Sequence, residues 1–210
     1  MQRPVPELRP ATWLTTAPAD VDWRDAGGGL VGVVAEPGYG VESAARVLME
    51  RHIAHGKLHI TARSAAAVTG ADDAGPRAGL QIGSPAARPT GWLAEVSPLV
   101  ELDGHLRRYF GARPVYFPAA VDQLLALPAD ADLTRAYLWA ARTWRGAADP
   151  VSPLALTLGD DRLIVHAPEE GRADHPAHRA AVLLAAGQGR CESHYDGAGG
   201  RATRTRVPAR

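Results

Sequence analysis

Apolar and polar positions follow two rhythms along this chain, and the change from one to the other is sharpest between residues 29 and 53. Leu30, Val31, Val33 and Val34 form a continuous β-branched run of the kind that makes a strand buried on both faces, as in a parallel sheet. A Pro-Gly-x-Gly turn follows, in which Gly38 and Gly40 supply backbone freedom. From Val41 the spacing becomes helical. Val41, Ala44, Ala45, Val47, Leu48 and Ile53 share one face, while Glu42, Arg46 and Glu50 occupy the other. Gly56 reads as a C-cap and Lys57 to Thr61 as a second strand, so strand, helix and strand predict a right-handed crossover in a parallel sheet.

Further along, residues 63–90 are dense in Gly, Pro, Asp and Ser around a short strand at Leu80 to Ile82, and a stretch of that kind is usually functional or disordered. Trp92 to Val96 reads as a strand. Ser97-Pro98 then starts a helix that carries Leu99, Leu102, Leu106 and Phe110 up to Gly111. Pro114 to Phe117 reads as a short strand, and Pro118 opens a helix over Ala119 to Leu127 that Pro128 ends. Asp130 or Asp132 caps the next helix, whose buried stripe is Leu133, Tyr137, Ala140 and Trp144 and whose outer face holds Arg135, Arg142 and Arg145. Leu154, Leu156 and Leu158 alternate before Gly159-Asp160-Asp161 turns the chain into Arg162 to His166, a hairpin signal. Asp174 caps a last helix through Ala186, with Gly187 at its end. The predicted architecture is α/β: a mainly parallel sheet flanked by helices, with a C-terminal antiparallel hairpin. Residues 1–28 read as a Pro-rich N-terminal arm whose Trp13 and Trp23 dock on the body, 29–187 as a single α/β domain, and 188–210 as a mobile basic tail.

The stretch Ala35, Glu36, Pro37, Gly38, Tyr39, Gly40, Val41, Glu42, Ser43 resembles the phosphate-binding loop of P-loop NTPases, particularly the AAA-like and STAND-like versions. In that family a lysine stands where this chain has Val41, and a magnesium-holding hydroxyl where it has Glu42; Ser43 lies one residue late. What the resemblance implies is nucleotide or anion binding at Gly38, Gly40 and Ser43, weakened by the two exchanges. A carboxylate about 4 Å from a phosphate charge costs on the order of 4 kcal/mol at an effective dielectric of 20, and the absent lysine removes an attraction of similar size. Glu42, in the first helical turn, is expected to stand in for the anion itself. The family's apolar strand ending in Asp would be Leu99 to Asp103, with Glu95 as the poorer candidate.

Histidines give the competing chemistry. His175-x2-His178 and Cys191-x2-His194 have the pairing of a tetrahedral zinc site, although Pro176 separates the first pair; the plain reading is a helix start with exposed histidines. His52, His55 and His59 form a second trio, and His166 with Glu169 and Glu170 offers a base near carboxylates. No G-x-S-x-G and no Cys-His signature marks a nucleophile.

Composition changes this picture little. The formal charge is +0 with 23 basic and 23 acidic residues, so nothing steers the whole chain towards nucleic acid, apart from weak contact by the Arg-rich tail at Arg201, Arg204, Arg206 and Arg210. Arg dominates the basic residues, Lys57 being the only lysine. No apolar run approaches a membrane span, MQRPVPELRP lacks a signal-peptide core, and Cys191 alone makes no intrachain disulfide, so a cytoplasmic location is expected. The functional expectation is a non-catalytic P-loop-like module acting through protein–protein contacts, as sensor or partner subunit, with weak nucleotide binding. The alternatives are a metal-dependent hydrolase using the His and acid residues, or a structural subunit of a larger assembly. No cofactor is assigned.

Overall fold

The computed structural model describes residues 4–34, 36, 38–54, 57–70, 78–83 and 88–192, with side chains to residue 187. The strands are β1 (Glu7–Pro10), β2 (Asp22–Gly27), β3 (Leu30–Val34), β4 (Ile53–Ala54), β5 (Lys57–Leu58), β6 (Thr61–Ser64), β7 (Leu80–Gly83), β8 (Pro114–Ala120), β9 (Gln123–Pro128), β10 (Leu156–Leu158) and β11 (Leu163–Val165). The helices are α1 (Val41–His52), α2 (Ala66–Thr69), α3 (Val96–Phe110), α4 (Thr134–Gly146) and α5 (His175–Glu192). Nine of the described strands make one sheet in the order β1-β3-β2-β11-β10-β8-β9-β7-β6, and β4 with β5 forms a separate small hairpin.

This corrects the expectation of a mainly parallel sheet. Among the described strands one pair is parallel, β2 with β11, joined at Gly27 and Leu163, and every other pair is antiparallel. The buried run in β3 suggested a parallel strand because it is covered on both faces, yet β3 lies between β1 and β2, antiparallel to each. No crossover follows it either. After α1 the chain makes the β4–β5 hairpin and then enters the big sheet at its far edge as β6. The segment 1–28 is likewise no docked arm, since it supplies strands β1 and β2.

The second correction falls on Ala119 to Leu127, expected as a helix and found as the end of β8, the turn and the return strand of the β8–β9 hairpin. Apolar residues on both sides of Asp122 and Gln123 fit either element, and two-sided burial decided it. Tyr116, Leu124 and Ala126 face the cluster that holds Leu48 of α1 and Leu99, Leu102 and Leu106 of α3. Val115, Phe117, Leu125 and Leu127 face the opposite cluster, with Tyr137 and Ala140 of α4 and Ala181 of α5. Pro118 sits where the register shifts between Phe117 and Ala120, a bulge that tolerates a missing N–H. Each large side chain buried this way contributes roughly 1.5–3 kcal/mol.

Trp92 to Val96 is also not a strand: Pro89–Leu93 is a 3-10 turn, and α3 starts at Val96. Its cap is Glu95, whose carboxylate accepts from the Ser97 N–H at 2.8 Å, in place of the expected Ser97. Leu99 to Asp103 is therefore helical, and Asp103 is buried against the Tyr116 hydroxyl (3.1 Å) and Arg107. Burial, with the nearby Asp103 charge, pushes the Tyr116 hydroxyl well above its ordinary value. Helix α4 and the β10–β11 hairpin form as the spacing indicates, Asp132 accepting from the Thr134 N–H at 2.9 Å. Helix α5 runs past Gly187 to Glu192, and the remainder of the expected tail lies outside the described residues.

Candidate functional site

At the glycine turn, β3 delivers the chain to Gly38, which has φ +84°, and to Gly40, the N-cap of α1. Ala35 and Pro37 lie outside the described residues. The first N–H of the helix, on Val41, donates to Asp22 Oδ2 at 2.6 Å, and a Cβ at Gly40 would come within 3.3 Å of the same oxygen. A carboxylate thus occupies the place where a helix N-terminus receives an anion. It is not the acid the sequence suggested. Glu42 is exposed and turns to Arg24, 3.5 Å away, and Ser43 is exposed on the outer side of α1. Asp22 lies nineteen residues before Val41 on a strand whose membership in the sheet was not foreseen, so local pattern carried no signal for it.

The histidine cluster is partly assembled. His175 and His178 sit in the first turn of α5 with ring centroids 6.4 Å apart, the planes tilted by 36°. His178 is turned inward: its Nδ1 lies 3.2 Å from the Tyr137 hydroxyl, which is also 3.5 Å from the His166 carbonyl oxygen. Burial lowers the pKa of His178 below its ordinary value, helped by His175, and burial does the same to His166. Burial likewise pushes the Tyr137 hydroxyl up, with Asp174 adding to it. Burial works to raise the Asp174 carboxyl, but hydrogen bonds from Arg172 and the Leu133 N–H outweigh it and hold Asp174 below its ordinary value. Asp174 thereby ties the start of α4 to the start of α5.

His194 and the Cys191 side chain lie outside the described residues. Among the described residues no group of three His, Cys, Asp or Glu side chains is placed to hold a metal ion. Of the other trio, His52 is buried edge-on against Trp92 with Nδ1 3.0 Å from the His59 carbonyl oxygen, the His59 side chain is exposed, and His55 lies outside the described residues. Glu169 and Glu170 are exposed. No helix among the described residues is long and apolar enough to cross a membrane.

One feature the sequence did not announce is a hollow of about 570 Å³ between the β8–β9 turn and the C-terminal end of α4. Arg88, Asp122, Gln123, Arg142, Thr143, Gly146 and Asp149 line it. Arg88 is bound to Glu7 at 3.1 Å and Asp149 to Arg9 at 2.6 Å. Asp122 and Gln123 also line a neighbouring depression of about 290 Å³ over β6 and β7. A hydrogen-bonded row crosses the strands there, Arg63 Nε donating to Gln81 Oε1 at 2.6 Å and Gln81 Nε2 to Gln123 Oε1 at 3.0 Å.

The geometry therefore defines a three-layer α/β protein with a mixed sheet, a self-capped helix start and a polar hollow. No family model, curated protein or solved structure matches the chain.

Proposed function

We propose that this chain is a non-catalytic module that works through protein contacts, as a sensor or partner subunit in the cytoplasm, built round a P-loop-like strand, turn and helix. The observation that carries this reading is Asp22 Oδ2 on the Val41 N–H at 2.6 Å. A phosphate reaching that helix start would meet a carboxylate already bound there, and Val41 offers no counter-cation. Exposed aromatic rings favour a role in recognition. Tyr39 at the tip of the turn and Trp23 on β2 are each about half exposed (49% and 47%), and interfaces are enriched in this residue type. The lone Cys191, unable to form an intrachain disulfide, supports the compartment.

Calorimetric titration with ATP and GTP, with and without magnesium, tests the reading. Heats no larger than dilution are expected, and micromolar magnesium-dependent binding or measurable hydrolysis would overturn it. Light scattering across a concentration series reports whether a second copy is the partner.

A further inference from the structure

We infer that the hollow at the end of α4 is a binding site for a small zwitterion carrying both an ammonium and a carboxylate, as α-amino acids and short peptides do. Its charges come in two sets. Arg88 and Asp149 are already engaged by Glu7 and Arg9. Arg142 and Asp122, one of each sign, line the same hollow and make no hydrogen bond or ion pair among the described residues. Two further groups match this division. Gln123, which lines the hollow together with Arg142, has its amide oxygen occupied by Gln81, which leaves its amide nitrogen as a donor. Helix α4 ends at Gly146 with Ala147 in extended conformation (ψ 145°), without the left-handed cap that closes α3 at Gly111, so its last carbonyls remain acceptors at the wall.

The negative end of a helix favours an ammonium and disfavours a bare anion. A site for an anion alone would not hold Asp122 beside that helix end, and a site for a cation alone would not hold Arg142. A volume of about 570 Å³ lies within the range of small-molecule sites. It accepts a free amino acid or a peptide of a few residues, and a Cβ placed on Gly146 would enter open space. None of the residues at the start of α1 lines the hollow, so a nucleotide result there leaves zwitterion binding here standing, and the reverse holds.

The test is an amide-resolved NMR titration of the labelled full chain with L-leucine and with trialanine. N-acetyl-trialanine and trialanine amide serve as blocked forms. Saturable shifts centred on Asp122, Gln123, Thr143 and Gly146 are expected with at least one free form. Response to leucine alone, or to trialanine alone, identifies the source. Blocking either terminus should weaken trialanine binding about tenfold or more, as should Arg142→Gln and Asp122→Asn, both on the surface, whose folding is checked by thermal melting. Gly146→Phe, which fills the hollow without altering a charge, should abolish the shifts. Absence of saturable shifts with both free forms, or equal binding of free and blocked peptide, overturns the inference.

Discussion

Replacing Asp22 by alanine removes the acceptor from the first N–H of α1 and touches nothing else in the helix. Val41 is fully buried, so its N–H cannot turn to bulk water for a substitute. Loss of a side-chain cap costs typically about 1 kcal/mol, and loss of a carboxylate from a helix start about 0.3–1 kcal/mol more. A buried donor left without a partner costs about 1–3 kcal/mol, a figure that overlaps the cap term and so bounds the total. About 2 kcal/mol is the expected loss for Asp22→Ala, which for a chain of this length lowers Tm by roughly 4–8 °C. Asp22→Asn keeps an acceptor and gives up the charge, so it should lose about 1 kcal/mol or less. Urea titrations followed by far-UV circular dichroism measure both, with the m-value unchanged between variants. An alanine variant within about 0.5 kcal/mol of the parent, below the range for a lost cap, or an asparagine variant worse than the alanine one, would refute the claim that Asp22 holds the helix start.

Two further outcomes follow from the same structure. Gly27 has φ +85° and a Cβ there would overlap the Leu163 carbonyl oxygen at the one described parallel contact in the sheet, so Gly27→Ala should cost about 3 kcal/mol or more, read as a lowered urea midpoint. Stability should also fall on acidification in two windows. His166 and His178 have folded pKa values below the ordinary 6.5, so the unfolded chain takes up protons first and stability declines as pH drops below about 6.5. Asp149, held low by its hydrogen bond from Arg9, and Asp174 lose their stabilising contribution only below about 3.8. Urea midpoints from pH 7.5 to 3 measure both windows, and His178→Phe should flatten the first; an unchanged slope in that variant would remove His178 from the account.

What the sequence disclosed was local. Helix α4 was legible because its stripe Tyr137, Ala140, Trp144 has a single period; its N-cap is Leu133, and Asp132 just before it accepts from the Thr134 N–H. The β10–β11 hairpin was legible from alternation and its turn. Where the residues were apolar on both sides of a turn, as from Val115 to Val121 and from Leu124 to Leu127, periodicity did not separate a doubly covered hairpin from strand plus helix, and Pro118 tipped the reading the wrong way. Strand direction was beyond reach for the same reason: the burial that suggested a parallel sheet follows from helices on both faces, and an antiparallel sheet sandwiched this way has it too. At the site, Gly38 and Gly40 were placed correctly as a turn before a helix, but the acid that fills it comes from β2, and the hollow is assembled from residues 88, 120–123, 142–143 and 146–149 that no motif links.

The charged residues at that hollow separate into those that hold the fold and those free to act. The β1 edge is brought round towards the end of β8 and β9 by the 3-10 turn: Gly91 packs so closely on Pro6 that a Cβ would overlap the Pro6 carbonyl oxygen, and the Thr90 hydroxyl donates to the Val121 carbonyl at 2.7 Å. Glu7 and Arg9 of β1 complete this closure, Arg9 donating to Glu7 at 2.8 Å and to Asp149 at 2.6 Å, and Arg88 donating to Glu7 at 3.1 Å. The Glu7 and Arg9 side chains are only 13% and 11% exposed, so removing either weakens a network of three linked ion pairs and costs more than breaking one exposed pair. Exposed charges such as Arg142 and Asp122 lie in the range of about 0–1 kcal/mol even when paired. Stability therefore accounts for Glu7 and Arg9, and extends to Arg88 and Asp149 through them. It gives no reason for an arginine and an aspartate, each without a partner among the described residues, to share one hollow, and a ligand with a group for each supplies that reason.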